Sequence, residues 1–277
     1  MDDLGSIVWL RSRFLPGVDF LRGTQNCVPI SMYHERFAVC AVLRGHAEWR
    51  YRGQSGAIGD GGLMFLEPGE CSVTSRIHRP GDFLVVLVDP GSFLEAAASA
   101  GLAAPVHFRL RREPLENPAP AQAIRRLVAS VEAQESPLEQ QSRLAVCLQR
   151  MLAEAESMPG LDPGAWSGPA IRRALECLRE GYREGTDLET LAALTGLNRF
   201  HLVHAFCRAV GMPPHAFQVH VRVERARALM LGGIPPNQAG RETGFADQSH
   251  FTRHFRKILG ITPGRYFALA QGFFPEP

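Results

Sequence analysis

The sequence predicts an α+β protein of two domains, an N-terminal antiparallel β-barrel with helices followed by an all-α domain built on helix-turn-helix units. Three observations predict it. Residues up to about Asp89 read as short strands broken by Gly, Pro and Asp; after Pro90 the apolar spacing becomes helical; and beyond residue 185 a helix-turn-helix pattern occurs twice. With 277 residues and 45% hydrophobic side chains, the chain is long enough for two cores.

The strand signals are FAVCAVL (37–43), AEWRYR (47–52), GLMFLE (62–67) and DFLVVLV (82–88), spaced as in an antiparallel barrel or sandwich. Helical spacing follows at 92–100, 121–135 and 138–156, where Leu138, Leu144, Leu148, Met151 and Leu152 form an apolar stripe that buries against the barrel or against a second copy. The run MPGLDPGAWSGP (158–169) is too rich in Pro and Gly for regular structure and reads as a linker. The expected organisation is a barrel over 1–115, a helical dimerisation segment over 116–157, this linker, and a helical domain over 170–277 whose two units span about 187–210 and 236–259.

Composition excludes several classes. The start MDDLGSIVWLRSRF is acidic and interrupted by arginines, unlike a secretory signal, and no apolar run approaches the roughly 18 residues a membrane span needs. A cytoplasmic protein with no membrane partner is expected. Cys27, Cys40, Cys71, Cys147, Cys177 and Cys207 are scattered without a CxxC, so reduced thiols are expected rather than a disulfide framework or zinc site. The net charge of +2 hides an asymmetry: residues 186–270 carry ten Arg or Lys against five Asp or Glu, and six of the ten histidines. Concentrating basic charge in one domain points to a polyanionic partner.

The repeat is explicit. NRFHLVHAFCRAVGMPPHAF (198–217) aligns with DQSHFTRHFRKILGITPGRY (247–266) at a constant offset of 49, pairing Leu202 with Phe251, Phe206 with Phe255, Gly211 with Gly260 and Pro214 with Pro263. Upstream the offset is 48, pairing Gly196 with Gly244, so one residue is inserted in the turn. In the first unit Asp187 caps a helix carrying Leu188, Leu191 and Ala192, Gly196 ends it, and Asn198 caps the next. That second helix buries Leu202, Phe206 and Val210 and turns Phe200, Val203, His204 and Cys207 outward; the equivalents in the second unit are Ser249, Thr252, Arg253 and Arg256. The outward donors suit base edges and phosphates. Between the units, residues 214–231 read as a helix of about 27 Å.

LETLAALTGLNRFHLVHAFCRAVGMPPHAF followed by GFADQSHFTRHFRKILGITPGRY resembles the double helix-turn-helix, homeodomain-like DNA-binding domain of AraC/XylS-type transcription regulators. The resemblance spans roughly 170–270 and rests on the ordered GF, SHFxRxF and GxTPxxY elements. It implies seven helices, two recognition helices entering adjacent major-groove segments of double-stranded DNA, and RNA polymerase as a further partner. Base contacts are implied for Phe200, Val203 and His204 in the first unit and Gln248, Ser249, Thr252 and Arg253 in the second, with phosphate contacts from Arg199, Arg208, Arg256 and Lys257. His204 stands where the family usually has an arginine, so the first helix is short of bidentate donors. Ala239 and Gly240 replace a bulkier apolar residue and an alanine, and a loosely held helix is expected there.

Less specifically, GAIGDGGLMFLEPGE (56–70) resembles the cupin-like effector-binding and dimerisation domain of the same regulators. Metal-binding cupins need a histidine cluster with a carboxylate; here Cys71 and Ser72 follow PGE, no HxH occurs, and His34, His46, His78 and His107 are isolated. No metal or cofactor is expected, no catalytic constellation is visible, and the reading as a cupin enzyme is disfavoured. A metal-free barrel can hold a small-molecule effector, with Trp49 and Tyr51 on one face of their strand lining the interior and His34 or Arg76 supplying polarity. Control by a regulatory protein bound to the barrel or to the 138–156 helix is an open alternative, as is the choice between activation and repression. A homodimer is expected.

Overall fold

The computed structural model describes residues 6–51, 54–99, 108–109, 119–154, 156–157 and 168–271. Among these, seven strands make one antiparallel sheet: β1 (Ser6–Arg11), β2 (Val18–Asn26), β3 (Ser31–His34), β4 (Phe37–Tyr51), β5 (Gln54–Gly59), β6 (Leu63–Leu66) and β7 (Glu70–Val88). β4 and β7 are the spine, and each serves two half-sheets. Ala38–Ala41 of β4 pair with β6 and His46–Tyr51 pair with β5, while β7 pairs with β3 through Glu70–Val73 and with β2 through Gly81–Val88.

Between the halves the β4–β7 register slips repeatedly from Val42 to Trp49, which bends both strands. The crossing point needs glycine: Gly45 has φ +127, and a Cβ there would lie 2.6 Å from the Cα of Gly81. The sheet therefore folds over itself. Its pairings run from edge β1 to edge β5 without closing, so the expected barrel is an open, barrel-like sheet. Pro80 and Gly81, which read in the sequence as a break before DFLVVLV, lie inside the single strand β7 at this bend.

Helix α1 (Pro90–Ser99) follows; a short β8 (Phe108–Arg109) pairs with β9 (Glu156–Ser157); and α2 (Ala119–Glu132) and α3 (Pro137–Glu154) pack beside the sheet. Ile124, Leu127 and Val128 of α2 and Cys147 and Leu148 of α3 share one core with Phe20, Val86 and Phe93. Part of the α3 stripe is thus buried against its own domain through Leu148 and Leu144, whereas Leu138 is 75% exposed. The side chains of Met151 and Leu152, residues 158–167 of the expected linker, and His107 lie outside the described residues.

Seven helices make up the rest: α4 (Pro169–Glu180), α5 (Leu188–Thr195), α6 (Arg199–Val210), α7 (Pro214–Leu231), α8 (Pro236–Glu242), α9 (Gln248–Leu259) and α10 (Pro263–Ala270). Their ends follow from local chemistry. Asp187 accepts from the Thr190 N–H at 2.7 Å, Asn198 from His201 at 2.9 Å, Asp247 from His250 at 2.7 Å and Thr262 from Arg265 at 3.4 Å, so four helix starts are capped by side chains. The turns α5–α6 and α8–α9 bring Leu202, Phe206 and Val210, and Phe251, Phe255 and Leu259, into the cores.

The expectation of a loose α8 is corrected. A Cβ on Gly240 would lie 2.9 Å from a ring carbon of Phe251, and Gly240 and Ala239 are both buried. The small residues let the Phe251 ring approach the helix backbone.

Candidate nucleic-acid interface and effector cavity

On α6, Phe200 is 85% exposed, His204 is exposed and Val203 is partly covered, all within the N-terminal half of the helix. On α9, Gln248, Ser249 and Arg253 are exposed and Thr252 partly so; with Arg256 and Lys257 these four line one shallow concave surface. Arg199 and Arg208 are exposed on α6. In a helix-turn-helix the N-terminal residues of the second helix meet base edges while flanking cations meet phosphates. The opposite ends of both helices touch the sheet domain: Gly211 after α6 sits against Val73, and Gly260 after α9 against Ile7.

The folded-over sheet forms most of the wall of a partly open cavity of about 140 Å³. Its wall is mostly apolar and includes Met32, Trp49, Ile77 and Phe83, and it is completed by Ile258 and Leu259 of α9. The indole N–H of Trp9 donates to the Leu259 carbonyl at 2.9 Å, which pins this turn of α9 to the sheet edge. Of the expected effector contacts, His34 and Trp49 line the cavity. Tyr51 is buried just beyond it, its hydroxyl donating to the Glu70 carboxylate. Arg76 is exposed and off the wall: Ile77 faces in, alternation turns Arg76 out, and Arg79 is the arginine at the cavity.

One constellation had only a faint sequence signal. Asp19 sits between Val18 and Phe20 in an apolar strand, and it is buried between two buried arginines, Arg36 at 2.9 Å and Arg227 of α7 at 3.5 Å. Arg227 also meets Glu224 at 2.8 Å and the Tyr266 hydroxyl at 3.2 Å. The domains are thus joined by a buried ionic network as well as by apolar contact, including the Tyr33–Phe217 ring pair at 5.1 Å. A carboxylate inside an apolar strand run is the one cue that it is paired.

Two imidazoles flank this interface. Burial, with lesser repulsion from His220 and Arg36, pushes His34 down to about 3; burial, with lesser repulsion from His254 and Lys257, pushes His220 down to about 4. Both folded values lie below the ordinary 6.5, so below that pH the unfolded chain takes up protons that the folded protein refuses. Stability is expected to fall from about pH 6.5 towards pH 4, with no contribution from these groups above that range. Urea midpoints at pH 7.5 and 5 check this; His220→Gln is expected to shrink the drop, and an identical drop in the variant contradicts it.

Fold and surface together define a two-domain DNA-binding regulator, with paired helix-turn-helix units and a cavity-bearing domain. Residues 191–268 match the helix-turn-helix domain model, and residues 31–148 match the AraC-like ligand binding domain. The thermoregulatory protein LcrF of Yersinia pestis is 25% identical over 242 residues, 84% of this chain and 89% of that protein. The transcriptional regulator YbfI of Bacillus subtilis is 22% identical over 219 residues, 79% of each. The crystal structure of ToxT from Vibrio cholerae overlays 96% of this chain on 99% of that one, with 14% identity and a TM-score of 0.49. The chain belongs to the AraC-type transcription regulators. It acts by binding DNA through its helix-turn-helix units, and its N-terminal domain is of the ligand-binding type. No helix among the described residues is long and apolar enough to cross a membrane.

Proposed function

We propose that α6 and α9 read successive major-groove segments of one DNA site and that a small molecule in the sheet-domain cavity sets how the two helices are held. The single observation that carries this is the double use of α9: its outward face presents Gln248, Ser249, Thr252 and Arg253, while its last turn, through Ile258 and Leu259, is part of the cavity wall. An occupant touching that wall acts on the helix directly. It shifts the arrangement only by binding one arrangement more tightly than another, about 1.4 kcal/mol for each tenfold change in their ratio.

In this reading Arg253 pairs with guanine and Gln248 with adenine, Ser249 and Thr252 add hydroxyl contacts, Phe200 and Val203 meet thymine methyls, and His204 donates to a base acceptor. Arg199, Arg208, Arg256 and Lys257 hold phosphates. The protein works in the cytoplasm as a regulator without catalytic activity, as a homodimer, and engages RNA polymerase. Leu138 and Val146, exposed apolar residues on α3, support a dimer contact on that helix.

Arg253→Ala is expected to weaken binding to the preferred site by about 1–3 kcal/mol and to relax selectivity at one or two base pairs. Arg256→Ala is expected to weaken all sequences alike and to reduce the salt slope by about one. Competition binding with base-substituted duplexes separates the two. Uniform loss for Arg253→Ala at every position would make it a phosphate contact and remove its assigned role.

A further inference from the structure

We infer that the cavity takes a neutral, apolar molecule about the size of a single ring, carrying one hydrogen-bonding group, and that it rejects carboxylates. This rests on the effector reading above and narrows it to a ligand class. Size comes first. The cavity measures about 140 Å³, close to the roughly 150 Å³ of an engineered apolar cavity that stays dry and takes up benzene. A ring with one or two substituent atoms fits such a space, and the Trp49 indole on the wall offers it an aromatic neighbour.

Polarity is confined to particular places. The His34 Nε2 lies 2.9 Å from the Ser72 Oγ, and both residues line the cavity, His34 being buried. This pair can accept from or donate to one ligand hydroxyl or carbonyl. Among the described lining residues the only permanent cation is Arg79, placed beside exposed His46 where β4 and β7 pair. Its guanidinium is already 2.5 Å from the Asp60 carboxylate and 3.2 Å from the Gly45 carbonyl. A carboxylate entering the cavity would give up its water without gaining a free positive partner. Burial holds His34 neutral at pH 7, so the imidazole supplies no charge either.

Benzyl alcohol, benzoate and toluene share one ring and differ in the group it bears, which makes them the test. Calorimetric titration of the full chain at pH 7.5 is expected to show one benzyl alcohol per chain and benzoate at least tenfold weaker. Val85→Phe, which places a ring on the cavity wall, is expected to abolish binding. Ser72→Ala is expected to weaken benzyl alcohol about three- to tenfold, the range of one hydrogen bond, and to leave toluene unchanged. Should Val85→Phe fail to fold, the Ser72→Ala comparison decides alone. Benzoate binding as tightly as benzyl alcohol, or Ser72→Ala weakening both neutral ligands equally, overturns the inference. Absence of binding by all three probes also overturns it. DNA binding is measured on the same samples by mobility shift, so loss of the ligand class with DNA binding intact is distinguished from failure of the DNA-binding reading itself.

Discussion

Asp19→Ala is expected to lower the unfolding free energy by about 3–5 kcal/mol, the cost of removing one partner from a buried charge network. The mechanism is specific. Asp19 is the carboxylate between Arg36 and Arg227, and Arg11 approaches it at 3.4 Å from the neighbouring strand. Removing it leaves two buried guanidiniums facing each other across the domain interface, with Glu224 beside Arg227 and the half-exposed Asp89 3.8 Å from Arg36 as the carboxylates that remain. Equilibrium urea unfolding reads the loss. Replacing the group together, with Asp19→Leu, Arg36→Met and Arg227→Met, is expected to recover most of the stability, because an apolar cluster of similar volume needs no charge balance. A loss below about 1 kcal/mol for Asp19→Ala would mean that water reaches the network and that the domains are not locked there.

Phe255→Ala is expected to cost about 3–5 kcal/mol and to remove DNA affinity with it. The ring is completely buried, 5.4 Å from Phe251 and 5.7 Å from Tyr266, and Tyr266 in turn stacks edge-on with Trp9 of the sheet at 5.4 Å. One side chain therefore fixes α9 to its own unit and, through Tyr266, to the sheet edge. Its repeat partner Phe206 is equally buried but contacts Phe217 at 5.8 Å. Phe206→Ala is expected to destabilise to a similar degree. Near-normal stability of Phe255→Ala in thermal and urea unfolding would contradict the packing described.

The helical half was largely legible, because its signals are local. The caps Asp187, Asn198 and Asp247 and the period of Leu202, Phe206 and Val210 act within one or two turns, and α7 spans the 214–231 expected of the connecting helix. The sheet was harder. β1, β2, β3 and β5 carry polar or mixed residues, as in GTQN at the end of β2, and their pairing depends on partners far along the chain. Of the two residues offered for polarity inside the barrel, His34 or Arg76, the sequence cannot choose, because facing cannot be counted through the bulges that bend β4 and β7; in the structure His34 and Ile77 line the cavity and Arg76 is exposed. The Asp19 network joins residues 19, 36, 224 and 227, and no local pattern ties a strand carboxylate to an arginine on a distant helix. Gly240 shows the limit of propensity: its helix penalty is real, but the Phe251 ring needs the space.

Selection of binding sites from random-sequence duplex DNA by the full-length protein tests most directly the claim that two recognition helices read one site. The expected result is an enriched motif with two short blocks whose centres lie about one helical turn, roughly 10 base pairs, apart. In a parallel selection, Arg253→Ala is expected to lose sequence preference within one block while the other persists. Failure to enrich any sequence, or enrichment of a single block unchanged by Arg253→Ala, would contradict the account.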